Sequence, residues 1–453
     1  MADPATDRLL FPDLFHKPLH IQFSDQQLSS DGGLLLLKAR DRKLNLCSGL
    51  AAAIPDCRQA AKVNHSLLAQ IQQRVYALAA GYPDVNEAAA LANDPMFKLA
   101  CGRGLHDQAL ASQPTLSRFE NTARRGDLYR MAHALADTVL LHLHKRHRAA
   151  RRVWIDVDPT CTPTYGAQQL TFFSGYYDTW CYLPLVITIS FDEDPRKYPL
   201  VLLLRPGNAD AMQGVLPVLR RLVPRLKTLW SKSQLWLRAD SAFARSDLLD
   251  WLDEQRIGYD IGMASNSVLA REMEEALDVV RDLATRDQET VAFYLDTAYR
   301  AKSWSRSRRV LCKVEVVLAD GKAPRDNVRY LITTARSGSK HGFGRYYGHS
   351  DMENSIKELK DDAGLGRFAC SRASANQFRA ILSLAALTLV QGLAPAWKRT
   401  GLRPQMATVR GWLLKVAVRV KETARRVVIE LAEHYPWKDR FRHCAKGLGA
   451  VPI

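Results

Sequence analysis

The sequence predicts an α/β protein, a sheet-based core flanked by helical regions. Three features point there. From about Arg152 runs of apolar residues replace helical periodicity, the first runs follow one another as a meander, and helix then alternates with strand. Before that point, in residues 1–150, apolar side chains recur every three or four positions. They run through Leu34–Leu37, Leu67–Ala79 and Val85–Leu91, after the SSDGG turn at Ser29–Gly33. One stretch of this helical region, SQPTLSRFENTARR, offers Ser112 and Thr115 as N-caps and places Pro114 near a helix start. Arg118 follows within a turn, as in a helix whose first residues reach DNA base edges, although capped basic helices have other uses.

The core begins with VWIDVDPT (153–160), LPLVITIS (183–190) and YPLVLLL (198–204), the last two joined by the turn-forming DEDPRK. A helix in MQGVLPVLRRLVPRLKTLW is expected to be interrupted at Pro217 or Pro224. Then come a strand at 234–240, a helix through Leu248–Leu252 and a strand at 259–264. Three strands in a meander followed by helix, strand, helix, strand is the order of the ribonuclease-H-like fold. Between 265 and 339 the alternation breaks: a helix precedes TVAFYLD, RRVLCKVEVVL and NVRYLITTA, which read as a β-rich insertion subdomain. The division expected is therefore 1–150, a core of 151–264 with 340–395, an insertion of 265–339, and a basic helical region of 396–453. Basic residues of that last region include Lys398, Arg399, Arg403, Arg410, Arg419, Lys421, Arg425 and Arg426.

Composition narrows the function classes. With 47% hydrophobic and 25% charged residues in 453, the chain is neither disordered nor fibrous. Its 64 Lys and Arg exceed 47 Asp and Glu by 17, a surplus that suits a polyanionic partner. Eight cysteines are scattered without a CxxC pair, so neither zinc nor redox chemistry is indicated. The opening MADPATDRLLFPDLF lacks the layout of an export signal, and AILSLAALTLV (380–390) is about half a bilayer span. A cytoplasmic protein with no membrane partner is expected. There is no G-x-S-x-G, GxxxxGK[ST] or HExxH motif.

Carboxylates carry the chemistry. Asp156 and Asp158 lie two apart on one strand and share a face, while Asp240 closes an apolar run that should be buried. If the first and fourth core strands are neighbours, Asp158 and Asp240 stand side by side. Two such carboxylates repel and raise each other's pKa, and a divalent cation relieves the repulsion. Strand-end aspartates also simply cap turns. A third element, RYYGHSDMENSIKELKDD, spaces Tyr346, His349, Glu353 and Lys360 within about 60° of one helix stripe, with Lys357 one turn from Glu353.

With these residues the chain resembles the DDE transposases of bacterial insertion sequences, in the branch marked by Y-x2-R-x3-E-x6-K. It reads Tyr346-x2-His349-x3-Glu353-x6-Lys360, departing at His for Arg. The family's D-x-T strand end is matched by Asp158-Pro159-Thr160, and its second aspartate by Asp240-Ser241-Ala242-Phe243. GYYDTWCYLPL, MENSIKELK and SANQFRAILSL add to a likeness covering about residues 20 to 435. The resemblance implies that Asp158, Asp240 and Glu353 hold two Mg²⁺ ions, replaceable by Mn²⁺. The activity implied is cutting at the element's ends and strand transfer into target DNA. Tyr346, His349, Lys357 and Lys360 would then contact phosphates of double-stranded DNA. Trp304 in the insertion would hold a flipped base, and a homodimer would form on DNA because two ends are cut together. The D-x-T match favours Asp158 over Asp156 as first ligand. A non-catalytic DNA-binding regulator and a ribonuclease-H-like nuclease without strand transfer are the alternatives.

Overall fold

The run RVWIDVDP is apolar on both faces at most positions, and such a strand is stable only between two covering layers. The computed structural model, which describes residues 8–319, 321–393 and 404–452, places it inside an eight-stranded sheet. In chain order the strands are β1 (Arg8–Phe11), β2 (Leu19–Gln22), β3 (Leu28–Ser29), β4 (Arg152–Pro159), β5 (Thr162–Pro163), β6 (Phe172–Ser174), β7 (Thr179–Tyr182) and β8 (Leu185–Phe191). They continue with β9 (Asp194–Leu203), β10 (Gln234–Ala239), β11 (Gly258–Met263), β12 (Val291–Tyr299), β13 (Arg308–Val317), β14 (Arg325–Thr333), β15 (Val418–Glu422) and β16 (Val427–Leu431). The large sheet has the order β12-β13-β14-β11-β10-β4-β8-β9, with β4, β10 and β11 parallel and every other pair antiparallel. The chain ends of β4, β10 and β11 therefore share one end of the sheet.

Helices cover the sheet. Val215–Leu229 is continuous, contrary to the expected interruption. Pro217 falls in its first turn, where an N–H has no intrahelical acceptor, and the apolar face of Leu219, Leu222, Val223 and Leu226 holds the turn around Pro224. The helix Ala373–Gln391 is long and apolar enough to cross a membrane, but 78% of its apolar window is buried inside the fold. It packs against the helices Leu67–Ala80 and Arg125–Arg146 and against β9.

Two expectations need correction. The strands of 265–339 form no separate layer: β14 pairs with β11, so β12, β13 and β14 extend the core sheet. Without them the β11 edge would present unpaired backbone groups. Nor are the flanking regions purely helical. β1 and β2 pair as a hairpin, and β15 pairs with both β16 and β3, joining the two ends of the chain. Val416, Val418 and Val420 are buried while Arg419 and Lys421 point away, the two-residue period of a half-buried strand. At this seam the Gly32 and Gly33 N–H groups donate to the Val416 and Leu414 carbonyls, and Lys415 meets Asp31 at 2.7 Å. A Cβ on Gly33 would lie 1.8 Å from the Leu413 carbonyl oxygen, so only glycine fits. Lys398, Arg399 and Arg403 lie outside the described residues.

Candidate active site

The last ladder pair between β4 and β10 is Val157 with Ala239, so the next residues, Asp158 and Asp240, emerge side by side. Asp240 also caps the turn Ser241–Phe243, its Oδ1 accepting from the Ala242 N–H at 2.9 Å. Burial raises its pKa, with that hydrogen bond and His349 opposing. Among the described residues nothing donates a hydrogen bond to the Asp158 carboxylate. Its pKa is pushed up to about 7, first by burial, with Asp240, Glu353 and Asp156 adding to the rise and His349 opposing it. Glu353, exposed on the helix Asp351–Lys357, is thus near enough for its charge to be felt at Asp158. The three act through charge at this range. Among the described residues, no three His, Cys, Asp or Glu side chains are gathered closely enough to hold a metal ion.

Asp156 is a different kind of aspartate. It is fully buried and takes Arg238 Nε at 2.8 Å, Arg238 Nη2 at 3.0 Å and Lys197 Nζ at 2.9 Å, while His349 Nδ1 lies 3.2 Å from its Oδ1. Burial works against its charge, but Arg238, His349 and Lys197 together hold it well below the usual carboxylate range. Its lone pairs are occupied by protein cations, and Asp158, two residues on, has none of these. Lys197 and Arg238 were missed from the sequence. The available signal was the charged residue two positions before each strand-end aspartate, in DVD and RAD.

A second buried pair sits one strand away. Arg345 bonds Asp260 of β11 through Nε at 3.1 Å and Nη2 at 3.2 Å, and Thr333 donates to the same carboxylate at 2.6 Å. Arg238 Nη1 donates to the Arg345 carbonyl at 3.0 Å. Arg345, Arg238 and His349 thereby clamp the Glu353-bearing segment onto the sheet.

That segment is not one helix. Ser339–Tyr347 ends in a turn over Gly348–Ser350, Asp351–Lys357 follows, and the backbone loosens to five-residue hydrogen bonding over Glu358–Asp362. The single stripe expected for Tyr346, His349, Glu353 and Lys360 is therefore broken twice. The first break falls at Gly348, which lets Arg238 approach closely: a Cβ there would come within 2.5 Å of Arg238 Nη1. Tyr346 still reaches the strand ends. Its hydroxyl fills the space where a side chain on Gly262 would stand, and its ring lies 6.3 Å from His349. Burial, then Asp240 and Asp158, push its pKa up to about 12. Lys357 is exposed and Lys360 half-buried in the loosened turn.

Two more candidates lie apart. Trp304 is 4% exposed, packed edge-on against Tyr299 and beneath Arg308. Its turn joins the Tyr299 end of β12 to the Arg308 end of β13. By register these ends lie with Thr333 and Asp260, pointing away from Met263, Asp240 and Asp158. Trp304 is thus buried at the end of the sheet opposite the carboxylates. Arg118 is exposed on the helix Gln113–Thr122, which is pinned inward by Leu116, Phe119 against Phe378, and the buried Glu120–Arg74 pair at 2.8 Å.

No curated protein matches the chain. A family model, the transposase DDE domain of group 1, matches residues 11–452. That span takes in both flanking regions as well as the sheet, so it is the chain as a whole that belongs to the group 1 DDE transposases.

Proposed function

We propose that the protein cuts DNA at the ends of its insertion sequence and joins them to target DNA by two-metal phosphoryl transfer. One observation carries the reading. Among the described residues Asp158 and Asp240 stand abreast without an ion-pair partner, while Asp156 beside them is neutralised by Arg238 and Lys197. The order β9-β8-β4-β10-β11 supports a ribonuclease-H-like core.

Asp158, Asp240 and Glu353 fit a hard cation by donor chemistry, being oxygen ligands whose mutual repulsion a divalent charge relieves. Drawn together from the more open arrangement described above, they would hold Mg²⁺, with Mn²⁺ substituting. Once bound, the metal supplies activation of the attacking oxygen and stabilisation of the leaving one. The chain's own contribution is positioning. Asp156, through His349 and Arg238, orients the segment bearing Glu353, and Tyr346 walls the site against Gly262. Tyr346, His349, Lys357 and Lys360 would neutralise phosphates of the element end, and Arg118 would reach DNA beyond it. A homodimer on DNA, acting in the cytoplasm, completes the reading.

The test is excision of a plasmid marker flanked by the repeats found beside the gene, with purified protein and Mg²⁺. Wild type and Glu353→Ala are compared, and end binding is scored in the same samples. We expect cleavage by wild type alone with binding retained by both. Binding without cleavage by either, in Mg²⁺ and Mn²⁺, would instead support a non-catalytic regulator.

A further inference from the structure

The link from β4 to β8 is far longer than a hairpin turn needs, and it builds its own three-stranded sheet, β5-β7-β6. This small sheet starts four residues after Asp158, at the carboxylate end of β4. Where it meets the core, Thr162, Cys181 and Tyr182 are buried, as is Ser174. Its base is fixed to the main core. The Tyr182 hydroxyl donates to the Gln169 carbonyl at 2.6 Å, the Gln168 side chain to the Phe368 carbonyl at 2.9 Å, and the Gln169 N–H to Ser371 at 2.8 Å.

Toward the β6–β7 turn the side chains are exposed. Phe173 and Trp180, cross-strand partners, are 50% and 57% exposed with ring centroids 6.3 Å apart. Tyr176 at the turn is 88% exposed and stands edge-on to Tyr177. Contiguous exposed apolar surface of this kind marks a binding face. Its chemistry is flat and aromatic, whereas the β1–β2 hairpin exposes mainly leucine and phenylalanine. Tyr177 ties the patch to the site: after burial, Cys161 and Tyr176, the charges of Asp158 and Asp240 contribute to raising its pKa to about 12.

We infer that the aromatic face of the β6–β7 hairpin stacks unpaired bases of the DNA strand beside the cleaved phosphate. Every base presents a π-face, so stacking suits a strand whose pairing is opened at the cut, whatever its sequence. Rigid mounting beside Asp158 would hold that strand still while the phosphate is presented. The inference rests on the DNA-cutting function proposed above.

The test compares the full chain with the variants Phe173→Ser/Trp180→Ser and Trp180→Phe. Each is mixed with a duplex of the element end, either blunt or carrying a short unpaired tail at the cut position. Affinity is read by fluorescence anisotropy and stacking by 2-aminopurine in the tail; melting curves confirm folding. We expect the double variant to lose about 5- to 100-fold in affinity for the tailed DNA and to lose the 2-aminopurine signal. Its affinity for blunt duplex should stay within about twofold, and Trp180→Phe should retain most of the tail preference. Equal loss on both DNAs, or no loss on either, would overturn the inference while leaving the proposed function intact. A change of oligomeric mass in the double variant without DNA would also overturn it, assigning the face to a second copy. Failure of the wild type to bind either DNA would remove the proposed function itself, and the platform with it.

Discussion

At the scale of single residues, Asp156 and Asp158 show how position alone sets what a carboxylate does. Asp156→Asn would leave the buried Arg238 and Lys197 without their shared counter-charge, which costs about 3–5 kcal/mol. We expect a corresponding fall in the urea midpoint. Asp158 behaves oppositely. Its pKa rises from 3.8 to about 7 on folding, so the folded metal-free chain binds more protons than the unfolded one between those values. Stability therefore falls as pH rises from about 4 to about 7, by at most about 4 kcal/mol, and the penalty is fully present above that window. Asp158→Asn removes the penalty. Its metal-free Tm should exceed that of wild type at pH ~8 and converge with it near pH ~4, with cleavage abolished throughout. Mg²⁺ should likewise raise the wild-type Tm more at high pH than at low, because ligation needs the ionised carboxylate. Spacing alone makes the two aspartates equivalent, two apart on one face, and only the D-x-T resemblance favours Asp158. What separates them physically is Lys197 and Arg238, which arrive from other strands, so that nothing local pairs them with Asp156.

Among elements, the clamp between the sheet and the segment 339–357 decides whether Glu353 reaches its partners. Gly348 has an ordinary helical φ, so alanine there carries no backbone strain. The conflict is with Arg238 Nη1, 2.5 Å from the new Cβ. Gly348→Ala should shift Arg238, loosen the His349–Asp156 contact and lower the cleavage rate about 10- to 100-fold. Stability should drop by only about 1–3 kcal/mol, measured by chemical denaturation. The core strands and the adjacency of Asp158 and Asp240 were legible because apolar runs and strand order are local and topological facts. The break at Gly348 was missed, although GHSDM carries a helix-ending glycine and a helix-starting serine, because the shared stripe of Tyr346, His349, Glu353 and Lys360 suggested a continuous helix. Strand β15 did leave a trace, valine alternating with charge, that the basic residues there obscured.

Over the whole molecule, the first and last described regions are one structure. Deleting residues 404–453 would strip β3 of its partner β15 and leave the Gly32 and Gly33 N–H groups unpaired. We expect such a truncation to fail to fold cooperatively, seen as loss of a single thermal transition, rather than merely to bind DNA less well. The seam has a consequence for the order of folding. The Asp31–Lys415 contact joins positions 384 apart in the sequence. Closing so long a loop costs chain entropy before the contact repays it, so the seam is expected to close after the sheet has formed, as the slowest step of refolding.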